Sequence, residues 1–158
     1  MLNLATPQTA PLAPIRALAD SRGRIKRKLR LSLIDRCNLR CLYCMPEHPR
    51  WLPPSELLSR REIFELVELF VRELGITELR LTGGEPLLRG DVIEIVRDLG
   101  KLRAHGLERI AMTSNGGLLP RLALPLRAAG LDDLNISLDA IEAEAFRRLT
   151  RGDIAPVL

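Results

Sequence analysis

The sequence predicts an α/β fold of about four parallel β-α units, and three observations carry that prediction. Short runs that alternate apolar and polar residues are followed, four times over, by stretches with helical apolar spacing. Helix-start and helix-stop signals punctuate the stretches. Each strand-like run also ends in polar or glycine-rich residues, and a parallel sheet joined by right-handed crossovers gathers such ends on one rim.

The elements follow in order. Leu29–Ile34 alternates as a strand does. Ser59-Arg-Arg-Glu62 reads as a capping box, with Ile63, Leu66, Val67, Phe70 and Leu74 at helical spacing and Gly75 placed to stop the helix. Glu78–Thr82 is a second strand, and Asp91–Ala104 a helix with its apolar residues mostly on one side. Arg109–Thr113 is a third strand. Leu119–Ala129 is helical, with Pro125 expected to split it into two short pieces. Leu134–Leu138 and Ile141–Leu149 complete the fourth unit. The strand ends carry Asp35-Arg36-Cys37, Gly83-Gly84-Glu85-Pro86, Thr113-Ser114-Asn115-Gly116, and Ser137 with Asp139. Four such ends together indicate an active-site face.

Size and composition narrow the class. At 158 residues, 46% hydrophobic and 28% charged, the chain reads as one soluble globular domain. A full eight-unit barrel takes about 250 residues, so a truncated barrel with an uncovered sheet edge is expected: a fragment, a truncated gene product or one part of a split protein. No apolar run suits a membrane helix, and the N-terminus does not read as a secretory signal. Unpaired thiols favour a cytoplasmic location. Six cations fall within Arg22–Arg30, inside a net charge of +4. No aromatic residues interleave with them, which argues against nucleic acid and leaves a solvated segment or a phosphate-bearing small substrate.

The chemistry concentrates at Cys37, Cys41 and Cys44, spaced C-x3-C-x2-C, which are all the cysteines of the chain. On a helix, positions i, i+4 and i+7 would share one face. Three thiols are an odd count for disulfides and one short of a structural zinc site, unless His48 completes it. A [4Fe–4S] cluster held by three thiolates would leave one iron open. From this segment alone, both the cluster and the zinc site remain open. Gly83 and Gly84 lack Cβ atoms, so their backbone can approach a ligand closely; the bland alternative is an ordinary turn. Asn115-Gly116-Gly117 would also pass as a turn. His105 reads as a cap or surface residue and Trp51 as loop packing.

Taken together, the cysteine loop with Tyr43 before its last cysteine, and Gly-Gly-Glu-Pro one β-α unit later, resemble the radical S-adenosylmethionine superfamily. Asp35-Arg-Cys-Asn-Leu-Arg-Cys-Leu-Tyr-Cys-Met-Pro46, Leu81–Arg89 and Leu134–Ala140 narrow the resemblance to the N-terminal part of the GTP 3′,8-cyclases of molybdenum cofactor biosynthesis. The Pro- and Ala-rich start reads as a flexible arm over residues 1–22, and the resemblance implies a partial (β/α) barrel over residues 23–158. It also implies that Cys37, Cys41 and Cys44 ligate a [4Fe–4S] cluster whose open iron takes S-adenosyl-L-methionine. Tyr43, Gly84 and Ser137 would then contact S-adenosylmethionine, and Arg30, Arg80 and Thr113 would contact GTP. The implied reaction is that a 5′-deoxyadenosyl radical takes hydrogen from ribose C3′, after which C3′ attacks guanine C8.

The family pattern differs at two positions. Ile34 stands for a common Thr, and Glu78 for a basic residue, which sets an acid beside the triphosphate. The family's C-terminal half, with a second cysteine trio and a Gly-Gly tail, has no counterpart in these residues. Expected partners are therefore GTP, an electron donor and a separate chain supplying that half; a homodimer is compatible, and no membrane or nucleic acid is expected. The rival readings are another radical enzyme, such as a peptide-modifying one, and a non-enzymatic remnant or zinc-binding domain.

Overall fold

The computed structural model describes residues 17–46, 48–155 and 157. The arm expected over residues 1–22 falls largely outside them. Its described end turns tightly on Asp20, which accepts from the Arg22 and Arg24 amides at 3.0 Å each and pairs with Lys26 Nζ at 2.9 Å. Lys26, then the Arg24 amide, hold its carboxyl down at about 2. A depressed folded-state value means that the stabilisation is complete above the ordinary 3.8 and lost as pH falls through about 2. Amide exchange at Arg22 and Arg24 is therefore expected to accelerate between pH 4 and 2, relative to core amides.

Strand β1 (Lys28–Ser32) leads through a long loop, with a 3-10 turn at Pro54–Glu56, into helix α1 (Arg60–Leu74). The capping box is formed: Ser59 Oγ accepts from the Glu62 amide, and the Glu62 carboxylate accepts from the Ser59 amide at 2.8 Å. Gly75 ends the helix at φ 67, a left-handed conformation that glycine adopts without strain. Strand β2 (Glu78–Thr82), a 3-10 turn at Pro86–Leu88 and helix α2 (Val92–Gly100) follow. The helix expected to reach Ala104 tightens to 3-10 geometry over Lys101–His105. After β3 (Arg109–Ser114), helix α3 (Leu119–Ala129) is continuous, contrary to the expected break at Pro125. Pro125 and Arg121 are both exposed, so water can serve the Arg121 carbonyl that Pro125 leaves without a donor. Strand β4 (Asp133–Ile136) and helix α4 (Ala143–Thr150) complete the series.

The four strands form one parallel sheet in the order β1-β2-β3-β4, unclosed among the described residues. This is the partial barrel that the sequence predicts. Side chains alternate across it. Leu79, Leu81, Ile110 and Met112 face the core shared with Ile63, Val67, Val71, Ile95, Val96 and Leu99 of α1 and α2. The alternate positions form a polar face that runs up to the C-terminal rim: Lys28, Arg30 and Ser32; Glu78, Arg80 and Thr82; Arg109 and Thr113; Asp133 and Asn135. No helix among the described residues is long and apolar enough to cross a membrane.

Candidate active site

The cysteines sit in the loop after β1, and not on a shared helix face. Only one turn forms there, with the Cys44 and Met45 amides donating to the Cys41 carbonyl at 3.0 and 3.1 Å. The loop instead finds its backbone partners elsewhere. The Arg40 and Leu42 amides donate to the Thr150 and Leu149 carbonyls at 2.8 and 3.0 Å, tying the loop to the end of α4. Leu39 lies against Gly152, where an added Cβ would stand 2.2 Å from its Cδ2. The Arg40 guanidinium donates to the Cys37 carbonyl and lies 5.3 Å from the centre of the Trp51 ring, so Trp51 packs the loop as expected.

The Gly-Gly-Glu-Pro loop after β2 is the floor under this segment. The Gly84 amide donates to the Ile34 carbonyl, and the Glu85 amide to the Arg36 carbonyl, both at 2.7 Å. A Cβ on Gly83 would meet the Ile34 carbonyl oxygen at 2.5 Å, and one on Gly84 would meet those of Arg36 and Asp35 at 2.3 and 2.4 Å. The space that a Cβ would occupy at these glycines is taken by the cysteine loop's own backbone. Glu85, 1% exposed, joins this floor to the end of β3. Its Oε1 accepts from the Leu87 amide at 3.0 Å and the Ser114 hydroxyl at 2.8 Å, and its Oε2 from the Asn115 amide at 2.7 Å.

A cavity of about 330 Å³ opens above these loops. Cys37, Cys41, Cys44, Tyr43, Gly84, Ser137, Arg30 and Thr113 all line it. Arg80 does not. It lies one layer further from the rim, donates to Thr113 Oγ1 at 3.3 Å, and lines an adjoining cavity of about 190 Å³ that shares Arg30. A larger groove of about 710 Å³, bordered by Arg36, Leu57, Leu58 and Arg89, holds no cysteine.

Three contributors had no assigned role in the sequence reading, although all three were noted at strand ends. Asn115 Nδ2 lies 3.8 Å from Cys37 Sγ and 2.8 Å from Asn38 Oδ1. Asp139 accepts from the Tyr43 hydroxyl at 2.7 Å, which pushes the phenol's pKa well up. Glu85 had been read as part of the Gly-Gly-Glu-Pro motif at a strand end, without a role of its own. A partner 78 or 96 residues away leaves no local signal, so only the shared strand-end position hinted at these contacts.

Burial pushes the Cys37 and Cys41 thiols up, and the Leu39 amide and Asn115 side chain pull Cys37 partly back. Both donors aim at Cys37 Sγ, as suits a sulfur that carries negative charge in a metal–thiolate bond. Among the described residues, no three His, Cys, Asp or Glu side chains are close enough to share one metal ion. Zinc, with Zn–S bonds of about 2.3 Å, gathers its sulfurs to within about 4 Å of each other. An iron–sulfur cluster gives each thiolate its own iron and spreads them further apart. His48 is exposed and off the cavity, so it does not complete a zinc set. Three cysteines on one cavity, with two donors aimed at Cys37 Sγ, suit thiolate ligation of a metal group.

The sequence model of the Radical SAM superfamily matches residues 31–157, most of the chain. The chain belongs to the radical SAM superfamily. Two GTP 3′,8-cyclases resemble it strongly: that of Pseudomonas putida (strain W619) is 49% identical over 144 residues, and that of Marinobacter nauticus 48% over 146. These alignments cover 90% and 92% of this chain, but only 42% and 43% of the relatives. Molybdenum cofactor biosynthesis protein 1 of Drosophila melanogaster is 48% identical over 158 residues, covering 95% of this chain and 27% of that protein. The chain thus spans less than half the length of these curated relatives. Among solved structures, Streptococcus suis SuiB bound to its precursor peptide SuiA superposes with a TM-score of 0.65 at 14% identity, over 82% of this chain and 28% of that one. That likeness supports the radical SAM fold alone.

Proposed function

We propose that this radical SAM chain carries the radical-generating part of a GTP 3′,8-cyclase, acting on GTP in the first step of molybdenum cofactor biosynthesis. The product would be (8S)-3′,8-cyclo-7,8-dihydroguanosine 5′-triphosphate. The observation that carries this reading is the convergence of cysteines, glycine loop and basic strand residues on two adjoining cavities. High identity to named cyclases over nearly the whole chain supports the same substrate.

In this reading Cys37, Cys41 and Cys44 hold a [4Fe–4S] cluster. The group supplies the electron that cleaves S-adenosylmethionine reductively. The protein's own part is placement. Glu85 fixes the end of β3, so that the Asn115 side chain faces Cys37. Tyr43, Gly84 and Ser137 border the space left for S-adenosylmethionine, with Tyr43 held across the mouth by Asp139. Arg30, Arg80 and Thr113 face the substrate side, where an arginine fork matches phosphate oxygens. Residues 23–158 act as one unit, with residues 1–22 as an arm. An electron donor completes the system, in the cytoplasm.

Anaerobic reconstitution is expected to give about four irons per chain and binding of S-adenosylmethionine. Cys37→Ala should lose most of that iron. Stoichiometric zinc with under two irons would overturn the assignment. GTP binding, set against binding of a model peptide, separates the cyclase from a peptide-modifying enzyme. Little cyclised product is expected from this chain alone.

A further inference from the structure

On the polar face of the sheet, the strand register places like charges side by side. Arg30 on β1 is the direct register partner of Arg80 on β2. Neighbouring strands lie about 4.8 Å apart, and like charges directly opposite destabilise a sheet. No carboxylate separates the two guanidiniums, and Arg30 makes no hydrogen bond or ion pair among the described residues. Folding gains nothing from this pair, whereas an anion would.

The row below is arranged differently. Lys28, Glu78 and Arg109 are consecutive register partners across β1, β2 and β3. Lys28 Nζ pairs with Glu78 at 2.9 Å, while Arg109 pairs with Asp133 on β4. Glu78 thus stands between two cations. The two rows together hold four cations against two carboxylates, and Lys28, Arg30, Arg80, Glu78 and Arg109 line one cavity of about 190 Å³. Through Arg30 that cavity adjoins the cysteine-lined one.

We propose that this lower row extends the anion site, with Lys28 and Arg109 contacting the distal phosphates of the nucleotide and Glu78 acting as an internal counter-ion. The proposal rests on the nucleotide reading above and goes beyond it. An acid at position 78 alone would repel a triphosphate. Flanked by Lys28 and Arg109, it instead holds the lysine in place, and an arriving polyphosphate competes with it. The acid sets the affinity by opposing the phosphates, without reversing the sign of the site. Two partly exposed ion pairs are weak enough to be exchanged in this way.

The test uses the reconstituted full chain at fixed ionic strength, with inorganic tripolyphosphate, GTP, GMP and guanosine as calorimetric probes. Lys28→Ala and Arg109→Ala should each weaken tripolyphosphate and GTP by roughly threefold to tenfold, leave guanosine unchanged and shrink the preference for GTP over GMP. Arg109→Lys should recover part of the loss. Glu78→Gln and Glu78→Lys should tighten tripolyphosphate in that order, a gain that misfolding cannot imitate. If Lys28→Ala and Arg109→Ala bind tripolyphosphate as wild type does while Arg30→Ala does not, the phosphates stop at the upper row. The proposal then falls and the cyclase reading stands. Weaker binding by Glu78→Gln also overturns it. If tripolyphosphate behaves as described but GTP gains nothing over it, the anion site holds and the guanine-nucleotide reading fails.

Discussion

Gly84→Ala is expected to strip the chain of most of its iron after reconstitution, as a far larger change than one methyl group suggests. The new Cβ would stand 2.3 Å from the Arg36 carbonyl oxygen and 2.4 Å from that of Asp35. Both obstacles are backbone, so no side-chain rotation relieves them. The two loops are also clamped there by the Gly84-to-Ile34 and Glu85-to-Arg36 hydrogen bonds. Either the clamp opens or residues 34–36 move, and Cys37 is the next residue. Overpacking of this kind costs about 1–3 kcal/mol or more, and displacement of one ligand costs the cluster. Gly90→Ala is the control, because a Cβ there meets nothing within 4 Å. Iron per chain and the midpoint of thermal unfolding, measured on both variants, check the claim. Wild-type iron content in Gly84→Ala would show that the glycine serves something other than contact between the loops.

Glu85 variants are expected to lose the most stability. Both carboxylate oxygens accept from fixed backbone amides, Leu87 at one and Asn115 at the other, while Ser114 adds a third donor. An amide side chain has only one oxygen, so Glu85→Gln must point its NH2 at one of those amides. That buried clash of donors is worth about 2–3 kcal/mol. Glu85→Ala leaves two buried donors and one half-buried donor without an acceptor and should cost about 3–5 kcal/mol. Urea midpoints measure both. The iron content of Glu85→Gln should fall too, because the Asn115 side chain facing Cys37 is held through the same network. A Glu85→Gln chain within about 0.5 kcal/mol of wild type would remove Glu85 from this role.

Local rules account for what could be read directly from the order of residues. The capping box at Ser59 and Glu62, the stop at Gly75 and the period-two alternation of β2 span only a few positions, and each formed as expected. Cysteine spacing and the glycine loop likewise pointed to the chemistry before any fold was known. Pro125 misled because an exposed helix turn can tolerate a proline: Arg121, whose carbonyl loses its donor, is exposed and water can take the donor's place. The spacing of the cysteines could not show that Thr150 and Leu149 take the loop's amides from over 100 residues away.

The order of β-α units and the clustering of the three cysteines were written in the chain, since both depend on near neighbours and on residue type. Only the packed sheet decided that Gly84 yields space to the Arg36 carbonyl, that Asn115 faces Cys37, and that Glu78 lies between Lys28 and Arg109. Each of those contacts joins separate strands or loops, and their proximity follows from strand register, which no short stretch of residues encodes.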